Sequence, residues 1–297
     1  MRGGVAAALL AYGLWGVMPL YFRELMSATA LEVVAHRVVW SFALLAAVLG
    51  AARRLAPMRR QIDAATLGRF AVATVLLSIN WLTYVWAVTH GHTLDASLGY
   101  FLLPLFSVAL GVGWLGERLA RAEWLGVALA AAGVAWLGWS SPQFPWVAIA
   151  LALSFGLYGL AKKRTALPPA EGMLLETALL VVPALAVLWV LAGRQALSFG
   201  HAGGATDWLL AGTGLVTTVP LVAFAYAAQR LSLATLGMLQ YLSPTLQFLL
   251  GVFVLHEPLD ARRLLGFAVV WAGLAVYTLA VAWGRRRAGP VVAAAAR

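Results

Sequence analysis

Ten stretches of mostly apolar residues fill this chain, near 3–22, 30–50, 65–89, 94–116, 121–139, 145–161, 170–192, 206–229, 233–255 and 263–283. Each runs for 17 to 25 residues. A helix needs about 20 such residues to cross the hydrocarbon core of a bilayer, and a water-soluble globule of 297 residues has no interior large enough to hide ten of them. Composition agrees: 63% of the residues are apolar and 11% are charged, against roughly 45–50% and about 25% in soluble domains. Short polar breaks separate the stretches. Arg53, Arg54, Pro57, Arg59 and Arg60 end the second, Ser140, Ser141 and Pro142 follow the fifth, Lys162, Lys163 and Arg164 follow the sixth, and Gly203 and Gly204 precede the eighth. The expectation is an all-α membrane protein of ten transmembrane helices with no large soluble domain. The first stretch runs on to Phe22 through Tyr12, Trp15 and Pro19, which does not suit a cleavable signal.

Charge sets the orientation. With the N-terminus inside and the spans alternating, 16 of the 21 Lys and Arg fall on inside segments, and only Arg23, Arg37, Arg194, Arg262 and Arg263 fall elsewhere. The positive-inside bias then puts both termini in the cytoplasm and the chain in the inner membrane. It also accounts for the net charge of +10 without a nucleic-acid partner. There is no cysteine, which removes disulfides, thiolate metal sites and cysteine nucleophiles. No zinc-protease, Walker A, nucleophile-elbow or paired-histidine metal motif is present, so neither an enzyme nor a cofactor is expected.

The two halves repeat. Pro104 and Pro244, Gly111 and Gly251, Glu117 and Glu257, Gly126 and Gly266, and Gly133 and Gly273 are each 140 apart. The segment from Tyr12 to Gly16 resembles that from Phe155 to Gly159 at an offset of 143. Residues 1–142 and 143–284 thus read as two five-helix repeats, with a basic cytoplasmic tail at 285–297. Five is odd, so the second copy is inverted relative to the first. Inverted repeats are the architecture of alternating-access carriers, whose sites lie near mid-depth between the halves.

Polar residues inside the spans are the candidates for function, because each is costly in lipid. Arg37 and, at an offset of 139, Glu176 are expected at the central cavity. There Arg37 would attract an anionic group, and Glu176 would pair with it or carry a proton; a fixed ion pair or snorkelling is the plain alternative. His36 points about 100° away from Arg37 around the helix and reads first as a packed histidine, second as a proton carrier. Asn80, Trp81 and Tyr84 suit a flat, partly aromatic ligand, although asparagine also bonds helices together in membranes. Pro104 and Pro244 free the carbonyls of Tyr100 and Gln240. Symmetric kinks there, with Tyr100, Gln240 and Tyr241 at the repeat interface, read as a hinge or as packing bends. Asp95 reads as a helix cap, and Glu117 and Glu257 as solvated caps or loop ion pairs. Gly126, Gly133, Gly266 and Gly273 read as a close helix contact, and Trp136, Trp139, Trp146, Trp208 and Trp283 as interfacial anchors.

Several segments carry a family resemblance. They are Tyr12 to Pro19 (YGLWGVMP), His36 to Ser41 (HRVVWS), Asn80–Trp81 with Trp86 to Val88, Ala96 to Phe101 (ASLGYF) with Pro104, Gly172 to Thr177 (GMLLET), Thr217 to Leu221 (TTVPL) and Thr235 to Pro244. With Glu-Arg-Leu at 117–119 and Glu-Pro-Leu at 257–259, the chain resembles the EamA family of the drug/metabolite transporter superfamily over nearly its whole length. The resemblance implies ten helices, cytoplasmic termini, and export or exchange of small metabolites or drugs, aromatic and amphipathic ones among them. The partners expected are a small-molecule substrate and the bilayer, with a homodimer left open. A lipid or lipid-linked flippase on the same scaffold is the competing reading, and it would need a groove open to lipid. A membrane enzyme would need a reactive cluster, and the sequence offers none.

Overall fold

The computed structural model describes residues 2–287 apart from 91, 140–144, 166, 255 and 257–260, and apart from the side chains of 88, 89, 93–97, 263 and 285–287. Glu257, Ser140 to Pro142, the side chain of Asp95 and the tail from 288 lie outside the described residues. The chain forms α1 (Arg2–Arg23), α2 (Ala30–Ala51), α3 (Leu55–Arg60), α4 (Ala64–Thr89), α5 (Thr93–Leu115) and α6 (Arg121–Gly138) in its first half. Its second half forms α7 (Trp146–Lys163), α8 (Pro169–Gly193), α9 (Gly204–Ala228), α10 (Leu233–Gln240), α11 (Leu242–Phe253) and α12 (Ala261–Arg287). The short α3 lies in the basic break after α2, and α10 with α11 makes up the ninth apolar stretch. No strand occurs among the described residues.

Among the described residues nine segments are long and apolar enough to span a bilayer: α1, α2, α4, α5, α7, α8, α9, α10–α11 and α12. Of the two helices left over, α3 has only six residues, and α6 has 18 but spends them on Arg121, Glu123, Trp124 and Trp136 among others, so its apolar character is diluted. Its place beside α12 makes it the fifth member of the first repeat.

Helix starts follow local chemistry. Thr29 accepts the Glu32 amide at 3.2 Å, Asp63 the Thr66 amide at 2.7 Å, and Ser232 the Thr235 amide at 3.1 Å, each covering a donor that the first turn leaves open. At the other end of α5, Gly116 takes φ +66°, a left-handed stop that suits glycine.

Packing reproduces the repeat. If α1, α2, α4, α5 and α6 are matched to α7, α8, α9, α10–α11 and α12, every major helix contact has its mate. The α1–α9 contact mirrors α4–α7, α5–α7 mirrors α1–α11, and α2–α9 mirrors α4–α8. The α2–α8, α5–α10 and α6–α12 contacts are their own mates and straddle the pseudo-twofold axis. The fold is therefore two inverted five-helix repeats, interleaved rather than set side by side.

The α6–α12 crossing explains four of the repeated glycines. A Cβ on Gly126 would lie 2.8 Å from the Gly273 carbonyl oxygen, one on Gly133 2.9 Å from that of Gly266, and one on Gly273 2.6 Å from that of Gly126. Backbone meets backbone here, so no side chain can move aside. Gly273→Val should therefore destabilise the protein by roughly 1–3 kcal/mol, the usual cost of overpacking. Thermal unfolding of detergent-purified protein checks this, with Gly113→Ala, where a Cβ meets nothing within 4 Å, as the control that should not fall.

Candidate functional site

Arg37 lies two turns into α2, on the side opposite the basic connections, and is half-buried. Its Nε donates to Thr217 Oγ1 of α9 at 2.9 Å. Its guanidinium carbon sits 4.5 Å from the centre of the Trp81 ring and 5.6 Å from that of Phe22. Tyr84 and Tyr100 lie within electrostatic range of it, their rings 6.1 Å apart. Five helices thus build one wall each: α1 through Phe22, α2 through Arg37, α4 through Trp81 and Tyr84, α5 through Tyr100 and α9 through Thr217. Indole and phenol faces stabilise a cation by about 0.5–2 kcal/mol, but they do not neutralise it. No carboxylate among the described residues comes within ion-pair distance of Arg37. With Nε occupied, the two terminal nitrogens of the fork remain open, in the geometry that receives a carboxylate or phosphate.

Asn80 does not join this wall. It is buried, and its amide donates to Leu151 O at 3.0 Å and Ser154 Oγ at 3.1 Å, tying α4 to α7. These are the interhelical bonds that one of its two readings expects.

Glu176 does not pair with Arg37. Its Oε1 accepts from Lys162 Nζ at 3.0 Å and its Oε2 from the Tyr158 hydroxyl at 3.2 Å, all within the second repeat. The inversion is the reason: positions equally far from the N-terminal ends of α2 and α8 lie toward opposite sides of the membrane. Lys162, taken from the sequence as part of a cytoplasmic connection, is instead 1% exposed, packed over Phe70 at 5.1 Å and Tyr158 at 5.6 Å. Gly172 makes room for it; a Cβ there would strike the Phe70 ring at 2.8 Å. The sequence held a faint signal of this arrangement, since Lys162 and Tyr158 are one turn apart and share a face with the α7 core.

Between these two charged clusters, at mid-depth, sits an aromatic group of Tyr12 and Trp15 from α1, Phe155 and Tyr158 from α7, and Phe224 from α9. Trp15 meets Phe155 edge-on at 5.6 Å, and Tyr158 stacks on Phe224 at 6.0 Å. Tyr12 and Phe155 are repeat mates at the 143 offset, as are Trp15 and Tyr158, so the group lies on the pseudo-twofold axis. Tyr12 is anchored at both ends: its hydroxyl donates to Leu236 O at 3.0 Å, and its carbonyl accepts from Ser243 Oγ at 2.7 Å.

The two prolines behave differently. Helix α5 passes through Pro104 unbroken, whereas the chain breaks at Tyr241, ahead of Pro244, into α10 and α11. Tyr241 and Gln240 are buried, and the Tyr241 hydroxyl donates to Phe101 O of α5 at 3.2 Å. Gly237 lets α10 approach within 2.7 Å, Cβ position to oxygen, of the Pro104 carbonyl. Glu117 is a partly exposed cap for the other repeat: it accepts the Leu233 amide at 2.6 Å and the Ala234 amide at 2.9 Å at the start of α10, and Lys163 stands 3.9 Å away as an ion-pair partner.

The fold and site define a polytopic transporter, and comparison with known proteins agrees. The pattern of the EamA-like transporter family matches residues 2–139 and again 145–279. The chain belongs to that family and is a multi-pass membrane transporter. Among curated proteins it is similar to protein RarD of Streptomyces exfoliatus, 43% identical over 93% of this chain and 88% of that one. It is also 40% identical to protein RarD of Escherichia coli, over 96% of this chain and 97% of that one. A relative in Pseudomonas aeruginosa, named chloramphenicol-sensitive protein RarD, is 33% identical over 90% and 91% of the two chains. A solved crystal structure at 21% identity superposes with a TM-score of 0.70 over 93% of this chain and 97% of its own, a likeness of fold.

Proposed function

We propose that the chain is a secondary carrier that moves a small, amphipathic, anionic metabolite or drug across the inner membrane by alternating access, as an exporter or exchanger. Both termini face the cytoplasm in this reading, and the repeats divide near residue 142. The observation that carries it is Arg37: a guanidinium in a membrane span, flanked by Trp81, Tyr84, Tyr100 and Phe22, with its fork open and no carboxylate among the described residues to neutralise it. An aromatic carboxylate would complete both halves of that site, the ring against ring faces and the charge on the fork. The aromatic group around Trp15 and Phe155 would separate this cavity from the basic side until the repeats rock.

Thermal-shift screening of purified protein against a metabolite panel tests this, because a ligand that binds only the folded state stabilises it by about 2.7 kcal/mol at a hundred times Kd. The panel includes chloramphenicol, in view of the name of the P. aeruginosa relative, beside aromatic carboxylates and their neutral amides. An anionic aromatic hit that shows counterflow in proteoliposomes is the expected outcome. Stabilisation by neutral compounds and carboxylates alike would remove Arg37 from the site.

A second reading, movement of a lipid or lipid-linked molecule, rests on a cavity of about 240 Å³ lined by Glu117, Arg118, Thr235 and Tyr277. It adjoins an apolar groove of Val5, Met238, Leu274 and Tyr277. This reading expects the protein to scramble labelled phospholipid in vesicles; the carrier reading expects none.

A further inference from the structure

Glu32 lies in the first turn of α2 and His36 one turn further on. Glu32 is 0% exposed and His36 5%. Oε1 of Glu32 accepts the amides of Ser198 at 2.8 Å and Phe199 at 3.0 Å, in the connection between α8 and α9, while Oε2 has no partner. His36 Nδ1 accepts the indole N–H of Trp40 at 3.1 Å. That bond fixes the tautomer, since an accepting Nδ1 leaves the proton of a neutral imidazole on Nε2. Nε2 has no hydrogen-bond partner either and lies 3.9 Å from Glu32 Oε1. A buried donor and a buried acceptor therefore stand beside one another unsatisfied, an arrangement that carries a desolvation penalty on both.

The other repeat supplies an internal control. The mate of Glu32 is Glu171, at the same 139 offset, and it is equally buried at 2%. Arg54 meets it with Nε at 3.0 Å and a terminal nitrogen at 2.9 Å, a permanent counter-charge. The mate of His36 is Leu175. One repeat thus neutralises its carboxylate with a fixed cation, and the other offers only an imidazole whose charge is optional. No lysine or arginine among the described residues reaches Glu32 within ion-pair distance. The amides of Ser198 and Phe199 and the N-terminus of α2 turn their positive dipole ends toward Glu32. Around the pair stand Asp207 at the start of α9, within electrostatic range of His36 and accepting the Gly200 amide at 2.7 Å, and His201 in the same connection. Arg37 follows in α2. The Phe199 ring packs on His36 at 4.9 Å.

We propose that Glu32 and His36 form a proton-binding site, at which one solvent proton adds to the imidazole and the resulting imidazolium neutralises the buried carboxylate. The incoming proton takes the Nδ1 lone pair, so the Trp40 N–H loses its acceptor. Trp40 is lodged against α9: a Cβ on Gly214 would meet the Trp40 carbonyl carbon at 2.6 Å. Gly214 is three residues from Thr217, which holds Arg37. Protonation thus disturbs the same α2–α9 contact that positions the guanidinium. It also sets two positive charges on adjacent residues, so an anion at Arg37 and a proton at His36 favour one another, reciprocally. The coupling to transport rests on the carrier reading; the proton site itself does not.

Tryptophan fluorescence of the detergent-solubilised full chain, titrated with pH, tests the site without any substrate. Trp86 stacks on His90 and His92, so Trp86→Phe serves as the parent. The parent should show a one-proton step that vanishes in His36→Gln and in Trp40→Phe, with circular dichroism confirming that each variant is folded. Glu32→Gln, which removes the counter-charge, should move the midpoint down by roughly one to three pH units, and Glu171→Gln should leave it in place. The Trp40→Phe variant keeps His36 but loses the hydrogen bond that favours the neutral imidazole, so proton uptake followed by a pH-indicator dye should persist in it with a raised midpoint. A parent without a step, a step that survives in His36→Gln, or a midpoint unmoved in Glu32→Gln overturns the proposal. Failure of this titration leaves the Arg37 reading standing, and absence of counterflow leaves the proton site standing.

Discussion

Arg37→Ala should abolish counterflow of the anionic ligand in proteoliposomes while the purified protein melts no lower than wild type. The two halves of this expectation separate function from structure. A bidentate guanidinium contributes two charge-assisted hydrogen bonds, each worth about 1.5–3 kcal/mol, so its loss should weaken binding by about a hundredfold or more. A structural ion pair would behave otherwise, since truncating one partner strands the other. Arg37 has no acidic partner to strand; its polar contact is the 2.9 Å bond to Thr217. Arg37→Lys keeps the charge but loses the fork, and should fall between the two. A melting point that drops sharply in Arg37→Ala would assign the residue to packing instead.

Glu176→Gln should have the opposite profile, with stability the first casualty. Lys162 and Glu176 are each about 1% exposed and 3.0 Å apart, and removing one member of such a pair leaves a buried charge uncompensated, at about 3–5 kcal/mol. The Lys162→Met, Glu176→Leu double variant should recover most of that loss, because apolar replacements of similar volume are often neutral or better. Thermal unfolding of the two single variants and the double variant closes the cycle. Transport by a recovered double variant would make the pair a strut; a stable but silent double variant would make it part of the coupling machinery.

Much of the architecture was legible because membranes impose simple rules. Apolar length gave the spans, and paired prolines and glycines at 140 gave the repeat. Odd helix number then gave the inversion. Even α6, whose charged first turn dilutes an otherwise apolar helix, is among the stretches that the sequence marks. Partners across helices were less legible. Arg37, Trp81, Tyr84 and Tyr100 could be nominated as polar or aromatic residues in spans, and the structure brings them together. The bonding of Asn80 to Leu151 and of Tyr241 to Phe101 depends on which helix faces which, and a single sequence does not encode that locally. Lys162 was hidden by its neighbours Lys163 and Arg164, which made a buried ammonium resemble one more loop charge. Glu32 was overlooked for a similar reason: a glutamate at the start of a helix is ordinary, and only its burial beneath Ser198 and Phe199 sets it apart.

The stacked rings at mid-depth have a bioenergetic consequence. Any unbroken column of water through a carrier would let protons and salt run down their gradients at the cell's expense. Tyr12, Trp15, Phe155, Tyr158 and Phe224 pack ring against ring where α1, α7 and α9 converge. In the proposed carrier, rings from both repeats meet at one seam, so the seal against leakage rests on contacts between the two halves themselves.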